Sequence, residues 1–202
     1  MNFKGKGGDY EQPEVGSFAA ICYKVVDMGT QTTSYKGEDK KAHKLIIYWE
    51  LGQKMKDGRP FSVSQRYTVS LHEKANLRKT LEAWRGKKFS QEDLDTFNEK
   101  KILGRPCLLS LVASEDGKYI NVTNVTSVPV GLPIPEQVNP SSFLSLQKEE
   151  FDQTVFDALS DNLKAKIMLS PEWRELKGLP PEQEHEEQEH EEQGGDAQDV
   201  AF

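Results

Sequence analysis

The spacing of apolar residues changes twice between residues 16 and 128, and this change constrains the fold more than any other feature of the sequence. From Leu71 to Arg85 the apolar residues recur at helical spacing, and Gly86 supplies a stop. Segments rich in β-forming residues lie on both sides of this helical stretch: 16–28, 42–51, 61–70, 107–113 and 119–128. The sequence therefore predicts three strands, a helical section and two more strands.

The connections between these elements carry their own signals. Asp116-Gly117 is a tight-turn signal, so the last two strands are predicted to form a hairpin. Residues 29–41 are polar, contain two glycines and lack apolar periodicity, which predicts a long loop or a flexible hairpin. Ser90 opens a stretch resembling a capping box, which indicates a second short helix before Gly104.

This order of elements is that of the OB fold, a five-stranded barrel with a helix between strands three and four. Short β-sandwiches and SH3-like barrels lack a helix inserted at that position. We therefore expect a mainly β chain in which residues 16–131 form an OB-fold barrel.

Composition separates four further segments from this barrel. We expect residues 1–15, rich in Gly and Lys, to be a flexible leader, and the proline-punctuated residues 132–146 to be a linker. Residues 147–178 contain amphipathic helical patterns and are predicted to form a helical extension that docks on the barrel or on a partner. Residues 179–202 contain too few apolar residues for a packed structure, so a disordered acidic tail is predicted.

The negative charge of the chain is local. Residues 181–202 hold nine of the 33 acidic residues and no Lys or Arg, so residues 1–180 carry a formal charge of +2 against −7 for the whole chain. A weakly basic body can still attract a polyanion. Whole-chain pI would therefore mislead about the ligands of the barrel.

Sequence motifs for catalysis or cofactor binding are lacking. His43 and His72 have no neighbouring carboxylate or Cys pattern of a catalytic set, and no Gly-rich phosphate loop or Cys-x-x-Cys pair occurs. His185 and His190 stand among glutamates without the rigid geometry that a metal site requires. We therefore expect a protein that is not an enzyme and that needs no cofactor or metal.

Cysteine usage and hydropathy bear on the environment of the protein. Cys22 and Cys107 lie inside apolar strand patterns and are predicted to be buried thiols rather than a disulfide. No apolar stretch approaches the ~20 residues that span a bilayer, and residues 1–6 lack the apolar core of a signal peptide. We expect a cytoplasmic protein that does not bind membranes.

Strands two and three carry the features of a nucleic-acid site, because OB folds bind strands across these two elements. Cations that can contact phosphates alternate here with rings that can stack on bases. The candidate nucleic-acid-binding residues are Tyr35, Lys36, Lys40, Lys41, Lys44, Tyr48, Trp49, Lys56, Arg59, Arg66 and Tyr67. Trp49 and Tyr67 share the parity of aliphatic neighbours, so a place in the core is the alternative for both, and solvated surface cations are the alternative for the lysines.

The C-terminal segment predicts a contact with partner proteins. Phe202, with Asp196 and Asp199 before it, offers a ring and negative charge to a pocket with an apolar floor and a basic rim. The same acidic segment could also fold back on the basic groove of the barrel and compete with DNA. A plain solubilising tail is the alternative.

Three stretches of the sequence carry a resemblance to a known family: Tyr67–Arg78, Leu81–Gly86 and Leu103–Cys107. In these stretches the chain resembles OB-fold single-stranded DNA-binding proteins encoded by phages and prophages, with a similarity that spans about residues 15–178. The tail departs from the bacterial pattern, because Val200-Ala201 stand between the acids and Phe202.

This resemblance implies sequence-independent binding and protection of single-stranded DNA in phage DNA replication or recombination. It also implies a location in the cytoplasm of a bacterial host cell, a possible homo-oligomer, and phage or host replication and recombination proteins as partners of the acidic tail. The alternative is a protein-interaction adaptor of a replication or recombination complex, in which the barrel is a scaffold without DNA binding of its own.

Overall fold

The computed structural model describes residues 11–35 and 37–180, and these form a mainly β structure with short helices. The strands are β1 Gly16–Tyr35, β2 Glu38–Lys54, β3 Pro60–Thr68, β4 Pro106–Ala113, β5 Ile120–Thr126 and β6 Ser142–Leu144. The helices are α1 Asn76–Arg85, α2 Gln91–Asp95, a 3-10 helix Glu99–Ile102, α3 Gln153–Asp157, α4 Asp161–Met168 and α5 Pro171–Leu176. Within these residues, every helix is too short or too polar to cross a membrane.

The six strands form one sheet in the order β3-β2-β1-β4-β5, and β6 pairs with β1 off this path. The pairs along the path are antiparallel, whereas β6 runs parallel to β1. Residues of β3 and β5, at the two ends of the path, approach within 8 Å between Cα atoms. No strand pairing between β3 and β5 closes the sheet in the described part of the chain. The mainly β prediction is confirmed, with an open sheet of six strands in place of the predicted five.

The predicted strands and helices all occur, and the main difference is the first connection. Residues 29–41, predicted as a long loop or a flexible hairpin, form a hairpin that continues both flanking strands, paired as far as Tyr35 opposite Glu38. Runs of threonine suit a paired ladder even where no side chain is buried. Sequence analysis leaves the loop and the hairpin both open because the apolar alternation on which it relies stops at the edge of the core.

The first core lies between the inner face of the sheet and α1. Trp49 and Ile47 of β2 are fully buried in it, and Trp84 of α1 packs against Trp49 with ring centroids 6.0 Å apart. Cys22 and Cys107 are buried free thiols, as predicted, and burial raises the pKa of Cys22 to about 12. Burial also raises the pKa of Cys107, so both thiols stay protonated at neutral pH.

A second core lies on the opposite face of β1 and β2. Val26 and Ile46 reach this face, and helices α3 to α5 cover it with Phe156, Ile167 and Trp173. The rings of Phe156 and Trp173 stack with centroids 4.3 Å apart. The helical extension therefore docks on the sheet of its own chain, which is one of the two placements that the sequence leaves open.

The segment predicted as a linker, 132–146, contributes to this structure instead of only bridging it. It contains β6, and Leu144 and Leu146 are buried in the second core. Glu50 of β2 is also buried, and its carboxylate accepts hydrogen bonds from the N–H groups of Val138 and Asn139 and from the Asn139 side chain. A carboxylate with three donors holds the extended segment on the sheet.

Candidate nucleic-acid interface

The outer face of β3, together with its neighbours on β2, presents the polar surface that the alternation of β3 predicts. Ser62, Ser64, Arg66 and Thr68 are all exposed on this face. Their partners on β2 are Glu50, Tyr48, Ile46 and Lys44, in the same order. Hydroxyl and guanidinium groups in a row supply donors at a strand spacing of about 6.6 Å for every second residue. We call this row and its neighbours Tyr23, Lys24, Lys44 and Tyr48 the β2–β3 outer face.

Tyr48 is the aromatic centre of this face. Its half-buried ring meets Tyr23 edge to face at 6.3 Å between centroids, and the Lys24 ammonium lies 5.1 Å from its centroid. The Tyr23 hydroxyl is hydrogen-bonded to the Ser62 hydroxyl at 2.8 Å. Burial raises the pKa of Tyr48 and lowers that of Lys24. Two fixed rings beside a cation are a suitable platform for stacking an unpaired base.

Sequence analysis misses Tyr23 and Lys24 because a β-bulge lies between Cys22 and Lys24. Before the bulge Cys22 faces the first core, and after it Val25 does, so the inside and outside positions exchange. Lys24 is thereby placed opposite Tyr48. Strict alternation assigns such residues to the wrong face, and no signal in the apolar run of β1 marks the bulge.

A cleft of about 660 Å³ continues the face beyond Lys44. Its lining includes Lys44, Arg66, Ser70, His72, Lys74 and Asn76. No Asp or Glu is among the described residues that line it, and no carboxylate of the described part ion-pairs with Arg66. The Lys44 ammonium donates to the Thr68 hydroxyl at 2.6 Å, which orients it along the floor. The cations of the cleft are therefore not paired with any described carboxylate in its lining, and they can contact a bound anion.

Helix α1 adds to the positive character of this cleft. Ala75 occupies its N-cap position, where no side chain accepts from the first turn, and that turn contains no acidic residue. The first N–H groups of a helix that lack such a cap carry partial positive charge. Because Ala75 and Asn76 line the cleft, this helix end faces the same space as Lys74 and Arg66. Phosphate groups prefer such a combination of cations and backbone donors.

Two of the predicted stacking residues are buried, although one of them, Tyr67, also lines the cleft beside Arg66. Trp49 is fully buried and Tyr67 is 4% exposed, and both belong to the first core. The Tyr67 hydroxyl donates to Gln65, and burial raises its pKa to about 12. Their inclusion among surface stacking residues is not supported by this placement, because a base cannot reach the face of a ring inside the core. The parity of β2 and β3 already indicated this alternative.

The other predicted cations lie at the two ends of β2. Lys40 and Lys41 are exposed near the β1–β2 tip, whereas Lys56 and Arg59 lie in the turn between β2 and β3. Lys40 and Lys56 are separated by roughly 50 Å of extended chain. Arg59 pairs with Asp57 at 2.6 Å. Lys44, Tyr48 and Arg66 are thus the predicted surface residues that the structure brings together, and the buried Tyr67 lies beside them in the wall of the cleft.

Several predicted residues fall beyond what the structure describes. Lys36 and the side chain of Tyr35 are among them, as are the candidate partner-binding residues Asp196, Asp199 and Phe202. Their roles stay predictions.

His43 connects the hairpin to the helical extension, a contact that sequence analysis does not find. Its Nε2 lies 2.6 Å from Asp27 Oδ1, and its Nδ1 lies 3.3 Å from Glu172 Oε1 on α5. The Thr30 hydroxyl and N–H donate to the two oxygens of Glu172. The hydrogen bond to Asp27 is the main cause that raises the pKa of His43. Burial alone would raise the pKa of Glu172, but the two Thr30 bonds lower it overall.

This contact predicts a pH-dependent stability. A raised folded-state pKa stabilises the protein fully below the unfolded value, ~6.5, and this stability is lost as pH rises through the folded pKa. Between pH 5.5 and 8.5 the Tm of the wild type should fall by about 2–4 °C relative to His43→Gln, the effect of about 1 kcal/mol in a chain of this size. His43 is about one-third exposed, so solvent screening keeps the effect small.

Thermal unfolding monitored by circular dichroism across this range measures the difference. His72→Gln is the matched control, since within residues 11–35 and 37–180 the His72 ring accepts a backbone N–H and pairs with no carboxylate, and its curve should run parallel to that of the wild type. Parallel curves for His43→Gln and the wild type would show that the contact with Asp27 and Glu172 does not couple protonation to folding.

No model of a protein family matches the sequence, and no curated protein matches it.

Proposed function

We propose that this chain binds single-stranded DNA without sequence preference along the β2–β3 outer face and the cleft that continues it. The observation that supports this proposal most directly is the cleft. In it, Lys44, Arg66 and Lys74 lie near the uncapped end of α1, and no carboxylate of the described residues lines it. Beside it, Tyr48 and Tyr23 supply ring surface. Phosphate contacts next to a stacking platform are what strand binding without base readout requires.

The topology supports an OB-type barrel as the scaffold of this function. β1 pairs with both β2 and β4, α1 lies between β3 and β4 in the chain, and β3 and β5 approach each other at the open side. These are the neighbour relations of a five-stranded OB barrel, to which β6 would be an addition. The proposed site then lies where OB folds bind strands, across strands two and three.

The resemblance to phage single-stranded DNA-binding proteins supports a biological setting of replication or recombination. In that setting the protein would coat and protect exposed strands. The acidic segment with Asp196, Asp199 and Phe202 would recruit phage or host replication and recombination proteins. The body, with its formal charge of +2, and the acidic segment thus divide the work between DNA and protein partners.

The test is a fluorescence-anisotropy titration of labelled oligo-dT and of a matched duplex at two salt concentrations. We expect salt-dependent binding to oligo-dT and weaker binding to the duplex. Tyr48→Ala should weaken binding about 10-fold, since one stacked base contributes about 1–3 kcal/mol. Arg66→Ala should also weaken binding and lower the salt slope by about 0.7, the value for one phosphate contact on a single strand.

Matched controls separate these contacts from general effects of ring and charge. Tyr119, 67% exposed in the turn before β5, is an aromatic side chain away from the proposed face, so Tyr119→Ala should leave affinity unchanged. Lys87→Ala removes an exposed cation beyond the end of α1 and should leave the salt slope unchanged. Equal losses for Tyr48→Ala and Tyr119→Ala would place the strand elsewhere. Absence of binding by the wild type at low salt would reject the proposal and favour the adaptor function.

A further inference from the structure

A second cavity lies at the helical end of the structure, separate from the proposed DNA face. It has a volume of about 410 Å³, opens to solvent, and is lined by the end of α1, α2, the 3-10 helix and the start of β4. Its apolar lining includes Leu81, Trp84, Phe89, Phe97, Ile102 and Pro106. It shares no lining residue with the cleft beside Arg66.

The rim of this cavity is cationic. Lys101 donates to the carbonyl of Thr96 and Arg105 to the carbonyl of Lys101, and within the described chain neither pairs with a carboxylate. The only acidic lining residue among those described, Asp93, is paired with Arg85 at 3.0 Å, which holds the pKa of Asp93 far below its usual range. The Asp93 carboxylate is thus already paired, whereas Lys101 and Arg105 have no carboxylate partner within the described chain.

The sequence of the same chain contains a segment with the complementary chemistry. Residues 196–202 read Asp-Ala-Gln-Asp-Val-Ala-Phe, in which two acids precede a short apolar stretch. We propose that this segment docks in the cavity of its own chain, with the Phe202 ring on the apolar floor and Asp196 and Asp199 toward Lys101 and Arg105. An aromatic anchor in an apolar pocket with charges at the rim is a common mode of peptide recognition.

Chain length permits this contact within one molecule. The described chain ends at Pro180, and the 22 residues that follow can extend over as much as ~70 Å. Contacts link that end to the rim of the cavity: Lys177 lies 4.6 Å from the Phe151 ring centroid, and the adjacent Glu150 pairs with Lys100, next to Lys101. A short tether also raises the effective concentration of the segment near the cavity to the millimolar range.

Docking at this cavity has a consequence distinct from competition with DNA. The segment would be withheld from partner proteins while the β2–β3 outer face stays accessible. This inference does not require DNA binding, because the cavity and the segment are defined without it.

A competition experiment on the full chain tests the proposal. A fluorescent peptide of residues 190–202 is titrated with the full-length protein and with full-length Phe202→Ala, and anisotropy is measured. The peptide should bind Phe202→Ala at least 10-fold more tightly, because this variant no longer fills the cavity with its own ring. In the Phe202→Ala background, Lys101→Glu with Arg105→Glu should abolish peptide binding.

The control is Lys87→Glu with Lys88→Glu in the Phe202→Ala background, which makes the same charge change on exposed residues that do not line the cavity and should preserve peptide binding. Equal peptide affinity for the wild type and Phe202→Ala, or binding that survives the change at Lys101 and Arg105, would overturn the proposal. Sedimentation tests whether docking occurs within one molecule. A wild-type mass that rises with protein concentration, together with a monomer mass for Phe202→Ala at the same concentrations, would place the segment in the cavity of a second copy. That result would overturn docking within one chain.

Discussion

Trp49→Ala is expected to lower the free energy of unfolding by about 3–5 kcal/mol, the cost of removing a large buried ring. The Trp49 side chain has no exposed surface and packs against Trp84 in the first core. Its removal leaves an apolar cavity, which adds to the free energy lost with the burial of the ring. Urea unfolding followed by far-UV circular dichroism measures this effect. At a temperature where the variant is folded, its affinity for oligo-dT should change less than about 3-fold, below ~0.7 kcal/mol.

Tyr48→Ala is the matched comparison, since Tyr48 directly precedes Trp49 on β2 and lies on the opposite face of the sheet. It should lose DNA affinity, and it should lose less stability than Trp49→Ala because its ring, packed against the second core, is only half-buried. A folded Trp49→Ala protein that no longer binds DNA would contradict the placement of Trp49 and restore it as a stacking residue.

Phenylalanine substitutions refine the same prediction. Within the described chain, Trp49 Nε1 is buried without a hydrogen-bond partner, whereas Trp84 Nε1 donates to the Pro106 carbonyl at 2.8 Å. Trp49→Phe should therefore destabilise the protein by about 1 kcal/mol less than Trp84→Phe, the net contribution of one hydrogen bond. The reverse order would mean that the Trp49 indole has a partner in solution.

Glu50→Ala is expected to lower the free energy of unfolding by about 2–4 kcal/mol, because three N–H donors lose a buried acceptor at once. The donors belong to Val138 and Asn139, and the segment that contains them leads into β6. Release of the segment should also expose the second core to solvent. Relative to the wild type, we expect hydrogen exchange in Glu50→Ala to accelerate more at residues 137–146 than at the amides of β3.

Glu50→Gln and Glu136→Ala are the controls for this prediction. The Gln side chain keeps the size of Glu but sets an NH₂ group against backbone donors, so its loss should be smaller than that of Ala. Glu136, in the same segment, is exposed, and Glu136→Ala should stay within ~0.5 kcal/mol of the wild type. Unfolding free energies for Glu50→Ala equal to those of Glu136→Ala would show that the buried carboxylate does not hold the segment.

Local sequence patterns predict elements well where one face of an element is apolar. The alternation of Phe61, Val63 and Tyr67 places β3, and the helical spacing of Leu77, Leu81 and Trp84 places α1. The capping box at Ser90 is also present: its hydroxyl accepts from the Asp93 N–H, and the Asp93 carboxylate accepts from the Ser90 N–H. These features depend on residues close together in the chain, so the sequence contains all the information they need.

The candidate site is predicted only in part, because it depends on contacts across the sheet. The sequence predicts Lys44, Tyr48 and Arg66 because they occupy the positions of β2 and β3 that alternate with the apolar core positions. Tyr23 and Lys24 do not, since the bulge in β1 is a response to the pairing of β1 with β2. Cations distant from the face, such as Lys56, cannot be separated from the near ones by charge alone.

By itself, the sequence determined where β1 to β5 and the helical stretches lie, that Cys22 and Cys107 are buried thiols, and that the negative charge lies beyond residue 180. It did not determine β6 or the pairing of residues 29–41. Only the tertiary structure decided that Trp49 belongs to the core, that helices α3 to α5 cover β1 and β2, and that Glu50 holds the segment before β6. The physical reason is the range of the interactions. Periodicity and turn preference act over a few residues, whereas burial, bulges and long-range hydrogen bonds depend on residues up to 142 positions apart, as Thr30 and Glu172 are.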